Sequence, residues 1–229
     1  MKKLVSMLLA LALLSVCLSG CGGSSDKSNE NDINSIVRTH DAKNDVIKFD
    51  NIEWSEEVDI AKEKIIKDLE ITEDIDISNY TLSKKDECGF DREIINISKE
   101  GEKHKIGKLA GWEISAIRMD CYMIDNKEYI SDYQIEISGM DGENIYDEIA
   151  KDIIEKLDKK YKDLTTKSSD DRYNTTYTDD NNNEIRIDAG KEGIYIIYMC
   201  NDAIDYLKRT EQEYLNRIKK EKKEDSKGL

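Results

Sequence analysis

Three cysteines, two histidines and a large excess of carboxylates are the residues of this chain with chemistry to offer. Cys88, Cys121 and Cys200 lie far apart, and no Cys-x-x-Cys pair joins any two of them. A zinc site would have to gather them with His104 from four separate places, without the short ligand spacings that build such sites. Buried free thiols in strands are the expected state, with a single internal bridge as the alternative in an oxidising compartment. His40 and His104 are the two imidazoles, so a Ser-His-Asp arrangement would have to use one of them. Neither stands near anything resembling a nucleophile elbow. The chain has 50 acidic residues, so some pair always looks suitable for acid–base work. Only a difference in environment would single out such a pair. Asp179-Asp180-Asn181-Asn182-Asn183-Glu184 opens like a calcium loop, but position 6 is Glu184 where a glycine is needed, and position 12 is Gly190 where a glutamate is needed. A polar hairpin loop is expected there. The chain has no glycine-rich phosphate cradle and no dinucleotide fingerprint, so no cofactor and no metal are expected.

Two further cysteines, Cys17 and Cys21, have a different context. Lys2 and Lys3 precede an apolar run from Leu4 to Leu18, which ends in small residues. A basic head, an apolar middle and a small-residue end make a secretory signal. The run is shorter than the roughly 20 residues a spanning helix needs. Leu18-Ser19-Gly20-Cys21 resembles the lipobox of a type II signal peptide of bacterial lipoproteins, and Cys21-Gly22-Gly23-Ser24-Ser25 resembles the segment that follows it. The resemblance implies that Cys21 carries a diacylglyceryl group, that cleavage falls before Cys21, and that residues 1–20 are the signal peptide. Two acyl chains anchor a protein stably where one does not. The expected location is the extracytoplasmic face of the cell membrane.

The full chain has a formal charge of −15, and loss of Lys2 and Lys3 with the signal leaves −17. Phosphate backbones would be repelled, so nucleic acid is excluded as a partner. Cations or basic peptides suit this charge better. From Tyr206 onward the balance reverses, with eight basic residues against five acidic ones, an end that anionic lipid could attract. Proline is absent, and Ile, Lys and Asn abound, as in chains encoded by AT-rich genomes.

These residues need elements to hold them. Residues 21–44 are polar and small in character and read as the lipidated Cys with a flexible tether spanning roughly 25 Å. Residues 45–222 read as one exported α+β domain, and 223–229 as a charged tail. Val58, Ala61, Ile65 and Leu69 share one helical face, so a helix is expected over 55–70, capped by Ser55. Strands follow at 79–84, 91–98, 103–109, 111–124 and 128–138, with turns at Lys99–Glu102 and Asp125–Lys127. The apolar phase slips near Ala116, which predicts a β-bulge there. Ile145, Ile149, Ile153, Leu157 and Tyr161 recur every four residues and predict a helix over 142–162, capped by Asp141. Strands near 172–178, 184–188 and 193–200 come next. The last is apolar on both faces and therefore central. A helix over 202–222 closes the domain.

Strands this close in sequence pair antiparallel, giving antiparallel sheets packed by amphipathic helices. The repeated order of helix then strands suggests a duplicated unit. The stretch Ile47-x-Phe49-x-x-Ile52-x-Trp54-Ser55, the Tyr146-Asp147-Glu148-Ile149 helix and the closing strand look like small lipoproteins of low-GC Gram-positive bacteria. Those are mostly of unknown function, and the resemblance implies no active site. Seven strand tyrosines (Tyr122, Tyr129, Tyr133, Tyr173, Tyr177, Tyr195, Tyr198) could face a peptide or glycan, although tyrosine also suits half-buried strands. The expected function is a membrane-anchored binding or interaction module with a protein, peptide or glycan partner, rather than an enzyme. The alternative is a cell-surface hydrolase using carboxylates. A transport-associated solute-binding protein would need two larger α/β lobes, which this strand order does not supply.

Overall fold

The computed structural model describes residues 33–41, 47–49, 52–71, 75–99, 105–142, 144–168 and 173–225. Residues 1–32, which include Cys21, and His104 lie outside them. The helices are α1 (Ile33–Asp41), α2 (Val58–Asp68), α3 (Lys85–Cys88), α4 (Ile145–Lys160) and α5 (Asn201–Asp225). The strands are β1 (Asp76–Ser83), β2 (Asp91–Ser98), β3 (Gly107–Leu109), β4 (Trp112–Ile114), β5 (Ala116–Ile124), β6 (Lys127–Ser138), β7 (Thr165–Ser168), β8 (Thr175–Thr178), β9 (Asn183–Ala189) and β10 (Gly193–Cys200).

Eight strands form one sheet in the order β1-β2-β5-β6-β10-β9-β8-β7, and every described pairing in it is antiparallel. The order is symmetric about its middle. Each half is a helix followed by a four-strand meander, and the last strands of the two meanders, β6 and β10, meet at the centre. The duplicated outline expected from the sequence is thus present as topology. The hairpin β3–β4 stands apart as a second sheet, inserted between β2 and β5.

Register explains the core. Ile97, Ile117, Ile135, Ile196 and Ile187 lie side by side across five strands, and the next row is Ile95, Met119, Tyr133, Tyr198, Ile185 and Tyr177. All of these residues are buried. Alternation of side chains puts both rows on one face of the sheet. The apolar stripes of α1, α2 and α4 pack into the same cluster through Ile33 and Val37, Ala61 and Ile65, and Ile149 and Ile153. Each fully buried isoleucine contributes roughly 1.5–3 kcal/mol. Strand β10 is buried at seven of its eight positions, as expected of a central strand.

Several boundaries differ from the sequence expectation for identifiable reasons. Helix α1 lies inside the stretch that composition assigns to the tether. Ile33, Ile36 and Val37 follow i, i+3, i+4 spacing, and a polar surrounding hides them from a composition argument. Helix α2 takes Glu57 as its N-cap rather than Ser55, whose hydroxyl instead donates to Asp41 at 2.6 Å. Helix α4 is entered through Asn144 in the left-handed region rather than through Asp141. The phase slip near Ala116 is a strand break, because Trp112 and Ile114 belong to the β3–β4 ladder. The bulge lies four residues on, where Asp120 pairs with Asp132 but Cys121 pairs with Ile130, leaving Ser131 as the extra residue. Strand β7 is polar and short, with no apolar alternation to mark it.

The final helix closes the other face of the sheet at one end. Its first turn joins the main core through Ala203, and Leu207 then builds a smaller cluster with Cys88, Phe90 and Tyr122. Tyr214 reaches α3, where its hydroxyl donates to the Asp86 carbonyl at 2.8 Å. The C-cap of α3 is Gly89, at φ +93°, and the Tyr214 ring would meet a Cβ there at 3.2 Å. Only glycine fits both demands comfortably.

Candidate functional site

Two regions near the β2–β5 end of the sheet hold concentrated polar groups, one on each face. The first lies on the face opposite the core, where the row Ile94, Asp120, Asp132, Met199 and Glu184 crosses the sheet. Two guanidiniums hold Asp120, which is buried. Arg92 Nη2 donates to its Oδ2 at 2.7 Å, and Arg118 donates to its Oδ1 through Nε at 3.2 Å and Nη2 at 3.1 Å. Arg92 also lies over the Tyr122 ring at 5.4 Å. The bulge residue Ser131 is buried and donates its hydroxyl to Asp132 Oδ2 at 2.9 Å. Burial and the facing charge of Asp120 push the Asp132 carboxyl up to about 7, against the pull of Ser131 and the two arginines. This is the paired-acid arrangement with unequal environments that acid–base chemistry requires. Neither described groove is lined by Asp120 or Asp132.

The second region lies on the core side, between α2 and the outermost hairpin. Strand β1 is the sheet's edge, and its residues are exposed or half-buried throughout. Ile77, Tyr80 and Leu82 are 44%, 56% and 47% exposed. A groove of about 410 Å³ runs between Asn79 and Thr81 of β1, Glu93 and Ile95 of β2, and Val58, Asp59 and Lys62 of α2. Asp91 and Glu128 add two more carboxylates. Lys62 is bound to Asp59 at 2.6 Å, and Glu128 accepts the Val58 backbone N–H at 3.2 Å. Glu93 is exposed and makes no ion pair among the described residues. A neighbouring groove of about 470 Å³, lined by Val37, Ser55 and Glu57, shares Met123 and Glu128 with the first.

The residues singled out by sequence fall elsewhere. His40 is buried rather than tethered free, with Nε2 3.2 Å from Asp202 Oδ2. Asp202 in turn accepts Asn182 Nδ2 at 2.7 Å. No hydroxyl or thiol hydrogen-bonds this imidazole among the described residues. Cys88, Cys121 and Cys200 are free and buried. Burial raises the Cys121 thiol far above its ordinary value and the Cys200 thiol to about 12, so neither supplies a thiolate. Asp179 closes the β8–β9 hairpin with both oxygens occupied. Oδ1 accepts the N–H groups of Asn181 and Asn183, and Oδ2 accepts Ile47 N–H and Asn183 Nδ2, all within 2.9–3.1 Å. Five of the seven strand tyrosines are buried, and Tyr173 and Tyr195 are the exposed pair. No group of three or more metal-ligating side chains converges among the described residues.

Sequence reasoning missed both polar regions. Asp120 and Asp132 stand on polar positions of their strands, but their meeting depends on the tight turn at Asp125-Asn126 and on the bulge at Ser131. Tyr80 and Leu82 fall within an expected strand, yet only the strand order shows that β1 is an edge. Comparison with protein-family models, with curated proteins and with solved structures finds no match.

Proposed function

We propose that this chain is an extracytoplasmic lipoprotein, anchored to the cell membrane through Cys21, whose sheet domain is a binding module for a protein or peptide. The observation that carries this reading is the β1 edge, which no strand pairs on its outer side among the described residues, with three exposed apolar side chains beside a polar groove. Apolar side chains gathered at one sheet edge, against a groove, are the signature of a contact surface. The lipobox resemblance supports the anchor.

A photo-crosslinking residue in place of Asn79, in the full chain in its native membrane, tests the binding reading. A discrete adduct that fails to form from position 191, in the β9–β10 turn, is the expected result. The reading is wrong if position 79 yields no adduct above that from position 191. The anchor is tested separately. Cys21→Ser should move the protein out of the membrane fraction, and its retention there would contradict lipidation at Cys21.

One observation favours a second reading, that of a cell-surface hydrolase using carboxylates. Asp132 is held near neutrality opposite Asp120. On that reading Asp132→Asn abolishes release of wall peptide or glycan fragments while the fold is retained. Unchanged release, or none from the parent protein, removes it.

A further inference from the structure

Between Asp76 and Thr81 the edge strand β1 carries few of the usual protections. Natural sheet edges are kept from pairing with other chains by lysine, proline, bulges or short length. Strand β1 runs for eight residues, Asp76–Ser83, with Asp76 as its one charged residue and no proline. Its pairing with β2 is regular from Asp76 to Thr81, and the register shifts only beyond that point. No strand pairs with its outer side among the described residues. The opposite edge, β7, spans half that length.

The two faces of β1 differ in character. Ile77, Asn79 and Thr81 stand opposite Ile97, Ile95 and Glu93, so they share the core-side face where the acidic groove begins. Ser78 and Tyr80 stand on the other face, and Leu82 is the unpaired residue at the register shift that follows Thr81. A strand laid against β1 would alternate in the same way. Side chains on one face would pass over the groove of Asp59, Asp91, Glu93 and Glu128, and those on the other would lie beside Tyr80.

We infer that β1 accepts an extended basic segment of a partner protein as a ninth strand, with lysines or arginines over the groove and apolar or aromatic residues beside Tyr80. This deepens the binding reading and rests on it. Charge complementarity selects the occupant. Four carboxylates face two lysines along the groove, and Asp59 already holds one of those lysines, Lys62. A second copy of this chain, pairing β1 with β1, would bring two acidic grooves and two strongly acidic domains together, which like-charge repulsion disfavours. Addition at a sheet edge draws affinity from backbone hydrogen bonds and specificity from alternate side chains.

The test uses the full lipidated chain in detergent and an end-capped heptapeptide alternating lysine with isoleucine or tyrosine. Fluorescence anisotropy should show saturable binding. A peptide with glutamate in place of each lysine should bind at least about tenfold more weakly, and Glu93→Lys should weaken the lysine peptide to a similar degree. Tyr80→Lys, at an exposed position that leaves the fold intact, should do the same. Peptides N-methylated at alternate residues give a sharper readout. One phase should abolish binding and the other should retain it, because only alternate N–H groups face the edge. Equal binding of the glutamate peptide, or of both N-methylated phases, overturns strand addition. So does a parent dimer that Tyr80→Lys converts to monomer, which would assign the edge to a second copy. If the adduct from position 79 forms but is neither competed by the lysine peptide nor lost in Tyr80→Lys, strand addition fails while the binding reading stands. If no adduct forms at all, both fail.

Discussion

The two halves of the sheet share a plan but end differently. In the second half the edge strand β7 is only four residues long, and Tyr177 on the next-to-last strand is buried, its hydroxyl donating to Asp158 of α4 at 2.7 Å. In the first half the outermost strand runs for eight residues and shows Ile77, Tyr80 and Leu82 to solvent, with a groove between it and α2. The polar face of the first half also carries the arginine–aspartate cluster. Two meanders of one topology therefore both fill the core, and the first adds a long edge strand with exposed apolar side chains.

The sharpest way to break this comparison is to truncate one outer tyrosine in each half. Tyr177→Ala removes a fully buried ring and its hydrogen bond, and should cost about 3–5 kcal/mol in denaturant unfolding. Tyr80→Ala should stay within about 0.5 kcal/mol of the parent. Similar costs at the two positions would show that β1 is covered and would remove the contrast.

The polar cluster comes next. Asp120→Ala leaves Arg92 and Arg118 without their shared carboxylate. Both arginines keep more than a third of their side-chain surface in solvent, which screens the loss. The expected destabilisation is about 1–3 kcal/mol, and replacing the arginines together with Asp120 should recover part of it.

Asp132 predicts a pH dependence of known sign. Its carboxyl is raised to about 7 in the folded protein against about 4 in the unfolded chain. Between those values the folded state binds the extra proton, so the stability present below about pH 4 is lost as pH rises towards 7. Asp132→Asn keeps the site neutral at every pH. It should therefore raise the melting temperature at pH 8, by an amount equivalent to roughly 1–2 kcal/mol, and change it little at pH 4. A gain of equal size at both pH values would mean that Asp132 does not titrate in this range.

Much of this fold was legible in the sequence. Ile194–Met199 is apolar on both faces and is the central strand. The alternation of Tyr133, Ile135 and Ile137 gives the buried face of β6, and the four-residue recurrence from Ile145 to Leu157 gives α4. Periodicity reports such features because each depends on neighbours in the chain. Helix α1 escaped because composition outweighed its three spaced apolar residues. The facing of Asp120 and Asp132 escaped because it depends on a turn and a bulge that together fix the register of two strands. The exposure of β1 escaped because an edge is a property of strand order, which local pattern does not encode.

Backbone hydrogen exchange on the full chain, with and without the lysine-alternating peptide, tests the account most directly. Strand addition predicts that alternate amides within residues 76–83 gain protection, while those of β7, residues 165–168, exchange as before. Protection that spares β1, or that falls equally on both edges, would contradict the assignment of the β1 edge as the binding surface.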